Sequence, residues 1–290
     1  MAEDLVSGGG LPPDLAGGAD APLDTASGPG GFPDRSGGPD VVNGAGLSPD
    51  GLREHPVGAV SVWLLAVPGA GEWARTGPRH LDPAEHERMR AFRREVDRVR
   101  YGFAHSALRA VLALCTGREA AALRFVREDC PGCGGPHGRP ALDGAGPAFS
   151  LSHGGDLVAI AVAAQAVGVD VEPGPRPQTV TEVATALHPG ERAEIGAATG
   201  EEGRAAAFAR LWTRKEAYLK GVGTGIGVDL AADDLRTAPP GWRVVDLPVV
   251  AGHAAAVAVR TPSPCVVTVR PAPAPWAGRD VLADRFPPHG

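Results

Sequence analysis

The sequence predicts an α+β protein, because long helical patterns and groups of strand patterns occupy separate stretches of the chain. Residues 59–67, "AVSVWLLAV", have the β-branched and large apolar residues of a buried strand and end at a Pro–Gly pair. Residues 81–117 follow with apolar residues at three- and four-residue steps, which predicts helix. A similar succession returns later, so we predict two α+β halves that meet near residues 166–168.

The first half is predicted to add a long helical segment and a hairpin to its strand. Asp82 is a suitable N-cap with Pro83 at the first helical position, and Gly102 is predicted to divide the segment into two helices. The segments "AFSLSH" and "LVAIAVA" predict the two strands of a hairpin that turns at Gly154 and Gly155.

The second half is predicted to begin with a strand and continue with two helices. "VGVDVEP" predicts a strand that ends at Pro173, and residues 181–198 and 203–221 predict helices, the second closed by Gly221. "WRVVDLPV", "HAAAVAVR" and "CVVTVR" predict antiparallel strands separated by turns.

The two ends of the chain differ in composition from this middle. Residues 1–56 are mainly Gly, Pro, Asp, Ala and Ser without a run of large apolar residues. Such a segment cannot bury enough surface to offset chain entropy, so we predict disorder there. Residues 271–290 predict a loose Pro-rich tail. Between the ends we predict an N-terminal α+β subdomain at 57–166 and a C-terminal one at 167–270.

Charge narrows the class of partner. The chain has 28 Lys+Arg against 34 Asp+Glu, a net charge of −6, which argues against a general nucleic-acid binder. Arginines concentrate in residues 88–100, which predicts either a solvated helix face or a surface for a phosphate-rich ligand or an acidic partner.

The start lacks an apolar signal segment and the apolar runs are too short or interrupted to span a bilayer, so we expect a cytoplasmic protein without a membrane partner.

Three carboxylates and the only two lysines of the chain fall in two short segments. Asp170 and Glu172 are two apart in a predicted strand and therefore point to one face. Glu216 follows Lys215 on a predicted helix and precedes Lys220 by four residues. A cation could separate the like charges, and Mg²⁺, a carboxylate base and an ammonium group are the parts that phosphoryl transfer needs. An exposed strand face and a surface ion pair on the helix are the alternatives.

Other familiar sites are less well supported. Ser152 and His153 are adjacent in a predicted strand and point to opposite faces, which disfavours a hydrolase triad with Asp156. The glycines of "GVGTGIG" lack the dinucleotide-binding spacing, and no P-loop pattern is present.

A turn with two cysteines offers a different kind of site. Cys130, Cys133 and His137 could supply three zinc ligands, with Cys115 as a candidate fourth. A closed structural zinc site needs four ligands at suitable geometry. We therefore predict free cysteines in a turn.

Taken together, the motifs resemble those of the Sfp-type 4'-phosphopantetheinyl transferases. In that family a G-[IV]-D-[IVL]-E strand precedes a W-[ST]-x-K-E-[AS]-x-x-K helix, and here the two are "GVDVE" and "WTRKEAYLK". "FSLSHGG" is similar to the family's serine–histidine strand, "HGRP" to its G-[KR]-P loop, and "RAFRREVDRVR" to its arginine-rich segment. The resemblance runs from about residue 81 to residue 269.

The resemblance implies coenzyme A as substrate and Mg²⁺ as metal. Asp170, Glu172 and Glu216 would hold Mg²⁺ against the CoA pyrophosphate. Glu216 would also be the base, and Lys220 would contact the pyrophosphate and protonate the leaving group. Lys215 would be a further phosphate contact.

The remaining matched residues are implied to hold the nucleotide end of CoA, including its 3'-phosphate. They are Arg100, Arg139, Ser152 and His153, and His153 would be most useful there as a cation. The implied fold is a pseudo-twofold pair of similar α+β subdomains with the active site in the cleft between them.

The function implied is transfer of the 4'-phosphopantetheine arm of CoA to a serine of an apo acyl or peptidyl carrier protein, with release of 3',5'-ADP. The pathway would be polyketide, nonribosomal peptide or fatty-acid biosynthesis, and we expect a monomer that binds no nucleic acid. The alternatives are another Mg²⁺-dependent enzyme that cleaves CoA or nucleotide pyrophosphates, and a non-catalytic module that binds CoA or a carrier.

Overall fold

The computed structural model describes residues 41–43, 55–262, 264–273, 276 and 279. Most of the segment predicted to be disordered, and most of the predicted Pro-rich tail, lie outside these residues. One correction falls inside them, because Val41–Asn43 forms a strand. It pairs in parallel with a later strand at Val267, and Val41 packs against the core there.

The mixed α and β elements confirm the predicted α+β class. The strands are β1 (Val41–Asn43), β2 (Ala59–Ala66), β3 (Phe125–Arg127), β4 (Pro140–Leu142), β5 (Ala148–Gly154), β6 (Leu157–Ala163), β7 (Val167–Pro173), β8 (Trp242–Asp246), β9 (His253–Arg260) and β10 (Val266–Val269). The α-helices are α1 (Ala70–Thr76), α2 (Pro83–Ala91), α3 (Glu95–Thr116), α4 (Pro177–Val183), α5 (Pro189–Ala197) and α6 (Gly200–Val222). None of these helices is both long enough and apolar enough to cross a bilayer.

The larger sheet has the strand order β1-β10-β2-β6-β5. The predicted hairpin is confirmed, since β5 and β6 pair antiparallel from Ala148 with Ala163 to Gly154 with Leu157. The prediction for β10 is wrong. The strand β10 does not pair antiparallel with β8 or β9 but pairs in parallel with β2. In this position Val267 and Val269 of β10 pack in the apolar core between the two sheets.

The smaller sheet has the order β7-β9-β8, and all of its pairs are antiparallel. Four layers result: α3, the larger sheet, the smaller sheet and α6. The helix α3 packs on the larger sheet through Phe103 and Leu108 against Trp63 and Leu151. Between the two sheets, valines of β7 meet the apolar residues of β2, β6 and β9.

The breaks between helices differ from the predicted ones. Asp82 caps α2 through the Glu85 backbone as predicted, but the chain breaks at residues 92–94 rather than at Gly102. Gly102 lies inside α3, where Trp73 and Met89 occupy the space that a Cβ atom would need. Glycine is therefore needed at this position so that neighbouring side chains can pack against α3. A local sequence pattern does not distinguish such a packing glycine from one that ends a helix.

Two further helix boundaries were predicted inaccurately. The segment 181–198 is broken before α5, where Pro189 takes the first helical position and His188 accepts a hydrogen bond from Gly190. The helix α6 ends at Gly223 in the left-handed conformation, not at Gly221.

The strand β7 places one side of its residues in the core and the other side against α6. Val169 and its alternate valines are fully buried between the sheets, while Gly168, Asp170 and Glu172 face the helix. A Cβ atom at Gly168 would overlap the Ala217 carbonyl oxygen of α6. Glycine is thus the residue that lets helix and strand approach backbone to backbone.

We predict that Gly168→Ala separates α6 from β7 and lowers the free energy of unfolding by about 1–3 kcal/mol or more, as overpacked cores do. The matched control is Gly196→Ala in α5, where a Cβ atom meets nothing within 4 Å. Chemical denaturation measures both variants. Equal stability of the two would contradict the close approach.

Candidate active site

A buried cluster of three polar side chains joins β5, β7 and α6. The Lys220 Nζ donates to Asp170 Oδ1 at 2.6 Å and to Ser152 Oγ at 2.9 Å. The Ser152 hydroxyl donates to the same Asp170 oxygen at 2.8 Å. All three residues are buried, so this lysine is a fixed part of the fold rather than a mobile surface group.

The strand β5 is held close to β7 by alternate residues on one face. The Ser150 Oγ accepts a hydrogen bond from the Val169 backbone at 3.0 Å. Two residues beyond Ser152, a Cβ at Gly154 would overlap the Val171 carbonyl oxygen. The serine pattern of β5 therefore follows from its contact with β7, and this contact places Ser152 beside Asp170.

Glu216 lies one helical turn before Lys220 and is 2% exposed. Among the residues that the structure describes, its buried Oε1 atom has no hydrogen-bond partner, and neither has the buried Oδ2 atom of Asp170. Burial raises the Glu216 pKa to about 8; the ammonium of Lys220 opposes this rise and the charge of Asp170 adds to it. Two carboxylates thus keep unpaired oxygens in one buried region, which is costly unless a ligand satisfies them.

Lys220 is held in its charged form by this surrounding. Burial alone would lower its pKa, but the carboxylates of Asp170, Glu216 and Glu172 together raise the pKa above its ordinary value. Its main partner is Asp170 rather than Glu216, and the pair is buried. This excludes the alternative of a surface ion pair along α6.

The carboxylates fit a hard divalent cation in their chemistry. Two of them carry unpartnered buried oxygens, and Glu172 shares the α6-facing side of β7 with Asp170. They do not form a compact ligand set as they stand. Within the described part of the chain, the only group of three ligand atoms that lie within 4.8 Å of one another belongs to Cys130, Cys133 and His137. The ammonium of Lys220 contacts Asp170 Oδ1, so Oδ2 is the Asp170 oxygen that is open to a cation.

Lys215 has a different environment from the one expected for a phosphate contact. Its Nζ forms an ion pair with Glu191 Oε2 at 2.8 Å and donates to the backbone oxygens of Leu230 and Asp233 at 2.6 and 2.8 Å. Three N–H groups are thus used by three protein acceptors in a buried position. These contacts do not favour the phosphate contact expected for Lys215, which is left out of the proposed ligand set.

Arg100 and His153 lie near each other, on α3 and β5. The Arg100 Nε donates to the Gly155 backbone oxygen at 2.7 Å. The pKa of His153 is lowered to about 3, first by burial and then by the positive charges of Arg100, His105 and Lys220. In the absence of a ligand His153 is therefore neutral, and the cationic imidazole that the resemblance implies would need a negative charge beside it.

Arg139 immediately precedes β4, and its side chain reaches the C-terminal end of α6. Its Nη1 donates to the Gly221 backbone oxygen at 2.9 Å, and its Nε donates to Glu128 at 3.0 Å. A cavity of about 380 Å³ opens beside Arg139 and Glu128, against Val167 at the start of β7. Asp170, Glu172 and Glu216 are not among the residues that line this cavity.

Sequence reasoning missed a buried charge network between α2 and α3. The Arg109 guanidinium donates to Glu85 at 2.6 Å and to Asp82 at 2.9 Å, and His105 Nδ1 lies 3.1 Å from Glu85. The Nε2 atom of His105 is buried and has no hydrogen-bond partner among the described residues. The i, i+4 spacing of His105 and Arg109 on an apolar helix is a signal that could have suggested it.

Comparison with known proteins gives matches to one family. Residues 166–253 match the family model of the 4'-phosphopantetheinyl transferase superfamily. A phosphopantetheinyl transferase of Thraustochytrium sp. is 31% identical over 193 residues, which cover 60% of this chain and 65% of that protein. The 4'-phosphopantetheinyl transferase AcpT of Salmonella typhimurium is 37% identical over 89 residues, 30% of this chain and 46% of that protein. The chain therefore spans less than two thirds of the length of these curated relatives.

We predict that Lys215→Met lowers the free energy of unfolding by about 3–5 kcal/mol, because it leaves the buried Glu191 carboxylate without its cation. Adding Glu191→Gln should recover part of the loss, since the unpaired charge is removed. Urea unfolding of both single variants and the double variant measures the coupling. Unfolding free energies that simply add would show that the two side chains are not paired.

We predict that His153 stays neutral from about pH 8 to pH 5, because its pKa lies well below the ordinary value near 6.5. An unfolded histidine binds a proton in that window and the folded one does not, so this residue lowers stability as the pH falls below about 6.5. Histidine NMR, with the His153→Asn variant to assign the signal, measures the titration. A midpoint near 6.5 in the ligand-free protein would contradict the buried, positively charged surrounding.

Proposed function

We propose that this chain, whose residues 166–253 match the model of the 4'-phosphopantetheinyl transferase superfamily, is a member of that superfamily. It would transfer the 4'-phosphopantetheine arm of coenzyme A to a serine of an apo acyl or peptidyl carrier protein. The observation that carries the proposal is the unpartnered carboxylate of Glu216 beside the buried Lys220–Asp170 pair. Buried charges that leave oxygens unpaired reduce stability, so a ligand that satisfies them is the simplest reason for their arrangement.

Asp170, Glu172 and Glu216 are the residues that would hold Mg²⁺ in this proposal. When bound there, the cation supplies charge neutralisation for the CoA pyrophosphate. The unpaired oxygens of Asp170 and Glu216 support this assignment.

Glu216 and Lys220 would act on the attacking and the leaving oxygen of the transfer, respectively. The carrier serine oxygen forms a bond to the phosphorus that bears the pantetheine arm, and the bond from that phosphorus to the 3',5'-ADP oxygen breaks. Glu216 accepts the serine proton, and a carboxylate whose pKa is raised by burial is a stronger base than an exposed one. Lys220 stabilises the leaving phosphate oxygen with its ammonium group, and Ser152 orients that ammonium.

Arg100, His153 and Arg139 would bind the nucleotide end of CoA. Arg100 is partly exposed and lies near His153, so a phosphate could reach both side chains. The negative charge of that phosphate would favour protonation of His153, which is neutral without it.

The natural carrier would serve polyketide, nonribosomal peptide or fatty-acid assembly, and we propose a cytoplasmic monomer without nucleic-acid or membrane partners.

Incubation with CoA, Mg²⁺ and an apo carrier protein tests the proposal by intact carrier mass. We expect a gain of one phosphopantetheine arm on each carrier molecule and the release of 3',5'-ADP. Consumption of CoA without a change in carrier mass would favour a pyrophosphate-cleaving enzyme instead. Binding of CoA without its consumption would favour a non-catalytic module.

We predict that Glu216→Gln lowers the transfer rate by at least about 100-fold, the usual effect of losing a general base. Because burial disfavours the charged form of Glu216, the amide should not destabilise the fold. The matched control is Glu202→Gln, an exposed position on the same helix. The carrier-mass time course and thermal unfolding together measure the effect. A transfer rate close to that of the control variant would exclude Glu216 as the base.

A further inference from the structure

The loop between β3 and β4 brings together three metal-ligating side chains that the proposed transfer does not use. The Sγ atoms of Cys130 and Cys133 and a ring nitrogen of His137 all lie within 4.8 Å of one another. In the part of the chain that the structure describes, no other three His, Cys, Asp or Glu residues come together in this way. Cys130 is buried, and the other two side chains are exposed.

The three ligand atoms lie close enough together to converge on one zinc ion. Zinc binds thiolate sulfur at about 2.3 Å and imidazole nitrogen at about 2.0–2.1 Å, which puts neighbouring ligand atoms roughly 3.5–3.8 Å apart. The Cys133 Sγ and His137 Nε2 atoms are 3.0 Å apart, at the distance of a sulfur–nitrogen hydrogen bond. Small side-chain rotations would open this contact enough to admit an ion.

The loop backbone turns tightly between the two cysteines. The Cys130 N–H donates to the Gly135 carbonyl at 2.7 Å, and Cys133 Sγ accepts a hydrogen bond from the Gly135 N–H at 3.5 Å. The turn is closed by the Gly134 N–H, which donates to the Cys130 carbonyl at 2.7 Å, with Gly134 at a φ of 73° that favours glycine. N–H groups aimed at sulfur stabilise thiolates, the form in which cysteine binds metals.

Both ends of the loop are tied together, so that the three ligands are carried on a closed frame. The Glu128 N–H donates to the Arg139 carbonyl at 2.9 Å, and the Gly138 N–H donates to the Glu128 carbonyl at 2.8 Å. An ion bound inside this frame would cross-link the loop immediately before Arg139. Its expected effect is to fix the backbone from which Arg139 extends.

We propose that Cys130, Cys133 and His137 bind one zinc ion, with a water molecule in the fourth position. Binding forms two Zn–S bonds and one Zn–N bond, and the two thiol protons pass to solvent. Cys115 does not complete the site, because it lies on the buried face of α3 in the core, where burial raises its pKa to about 12. The exposed side of the cluster, formed by Cys133 and His137, leaves the fourth position to solvent.

The test uses the full chain, purified with a thiol reductant and loaded with zinc alone. We expect one tightly held zinc per chain by elemental analysis. X-ray absorption should give two sulfur ligands at about 2.3 Å and two nitrogen or oxygen ligands at about 2.0–2.1 Å. Both measurements use the unaltered protein and require no enzymatic activity. Their outcome therefore tests zinc binding independently of the proposed phosphopantetheine transfer.

Two variants with matched controls locate the ion. Residues that only support a metal ligand contribute about 10–100-fold in affinity. Loss of a ligand in Cys133→Ser or His137→Asn should therefore weaken zinc binding by more than about 100-fold. Cys265→Ala and His80→Asn, which remove the same residue types elsewhere, should keep wild-type affinity. Circular dichroism confirms that each variant is folded.

Three results would overturn the proposal. The first is reduced wild-type protein that retains no zinc, and the second is a Cys133→Ser/His137→Asn double variant that binds zinc as the wild type does. The third is protein isolated without reductant that holds a Cys130–Cys133 disulfide and, after reduction, still takes up no zinc.

Discussion

The backbone contact between α6 and β7 at Gly168 is the constraint on which the candidate site depends. Only glycine leaves room for the Ala217 carbonyl and for the start of the last turn of α6. This approach sets the helix low enough on the sheet for Lys220 to reach Asp170 at 2.6 Å. The Gly–x–Asp–x–Glu spacing thus has a structural explanation. The glycine allows α6 to pack directly against β7, and the two acidic residues lie on the same face of the strand, toward the helix.

The two lysines of the chain show two uses of a buried cation on one helix. Five residues apart, they lie about 140° apart around α6 and so meet different surroundings. Lys215 is fully paired with Glu191 and backbone oxygens, as expected of a group that holds the fold together. Lys220 shares its charge among several carboxylates, and oxygens of Asp170 and Glu216 stay unpaired. Incomplete pairing of these buried oxygens is the observation that supports a ligand site here.

Sequence patterns predicted features set by neighbouring residues and missed those set by distant ones. The alternation in β7 correctly predicted a strand with Asp170 and Glu172 on one face, and the α2 cap at Asp82 follows from its local residues. The partner of Lys215 lies 24 positions earlier, at Glu191, so nothing near the lysine indicated a structural ion pair. The parallel pairing of β10 likewise depends on which core has room for its valines, which a strand pattern alone cannot specify.

The central claim is that β7 and α6 form one binding site for the pyrophosphate of CoA. A crystal structure of the chain with CoA and Mg²⁺ tests it most directly. The account predicts the pyrophosphate at the α6-facing side of β7, with the cation on Asp170, Glu172 and Glu216 and the Lys220 ammonium moved from Asp170 to a phosphate oxygen. CoA bound elsewhere, with the Lys220–Asp170 pair intact and Glu216 still unpartnered, would contradict it.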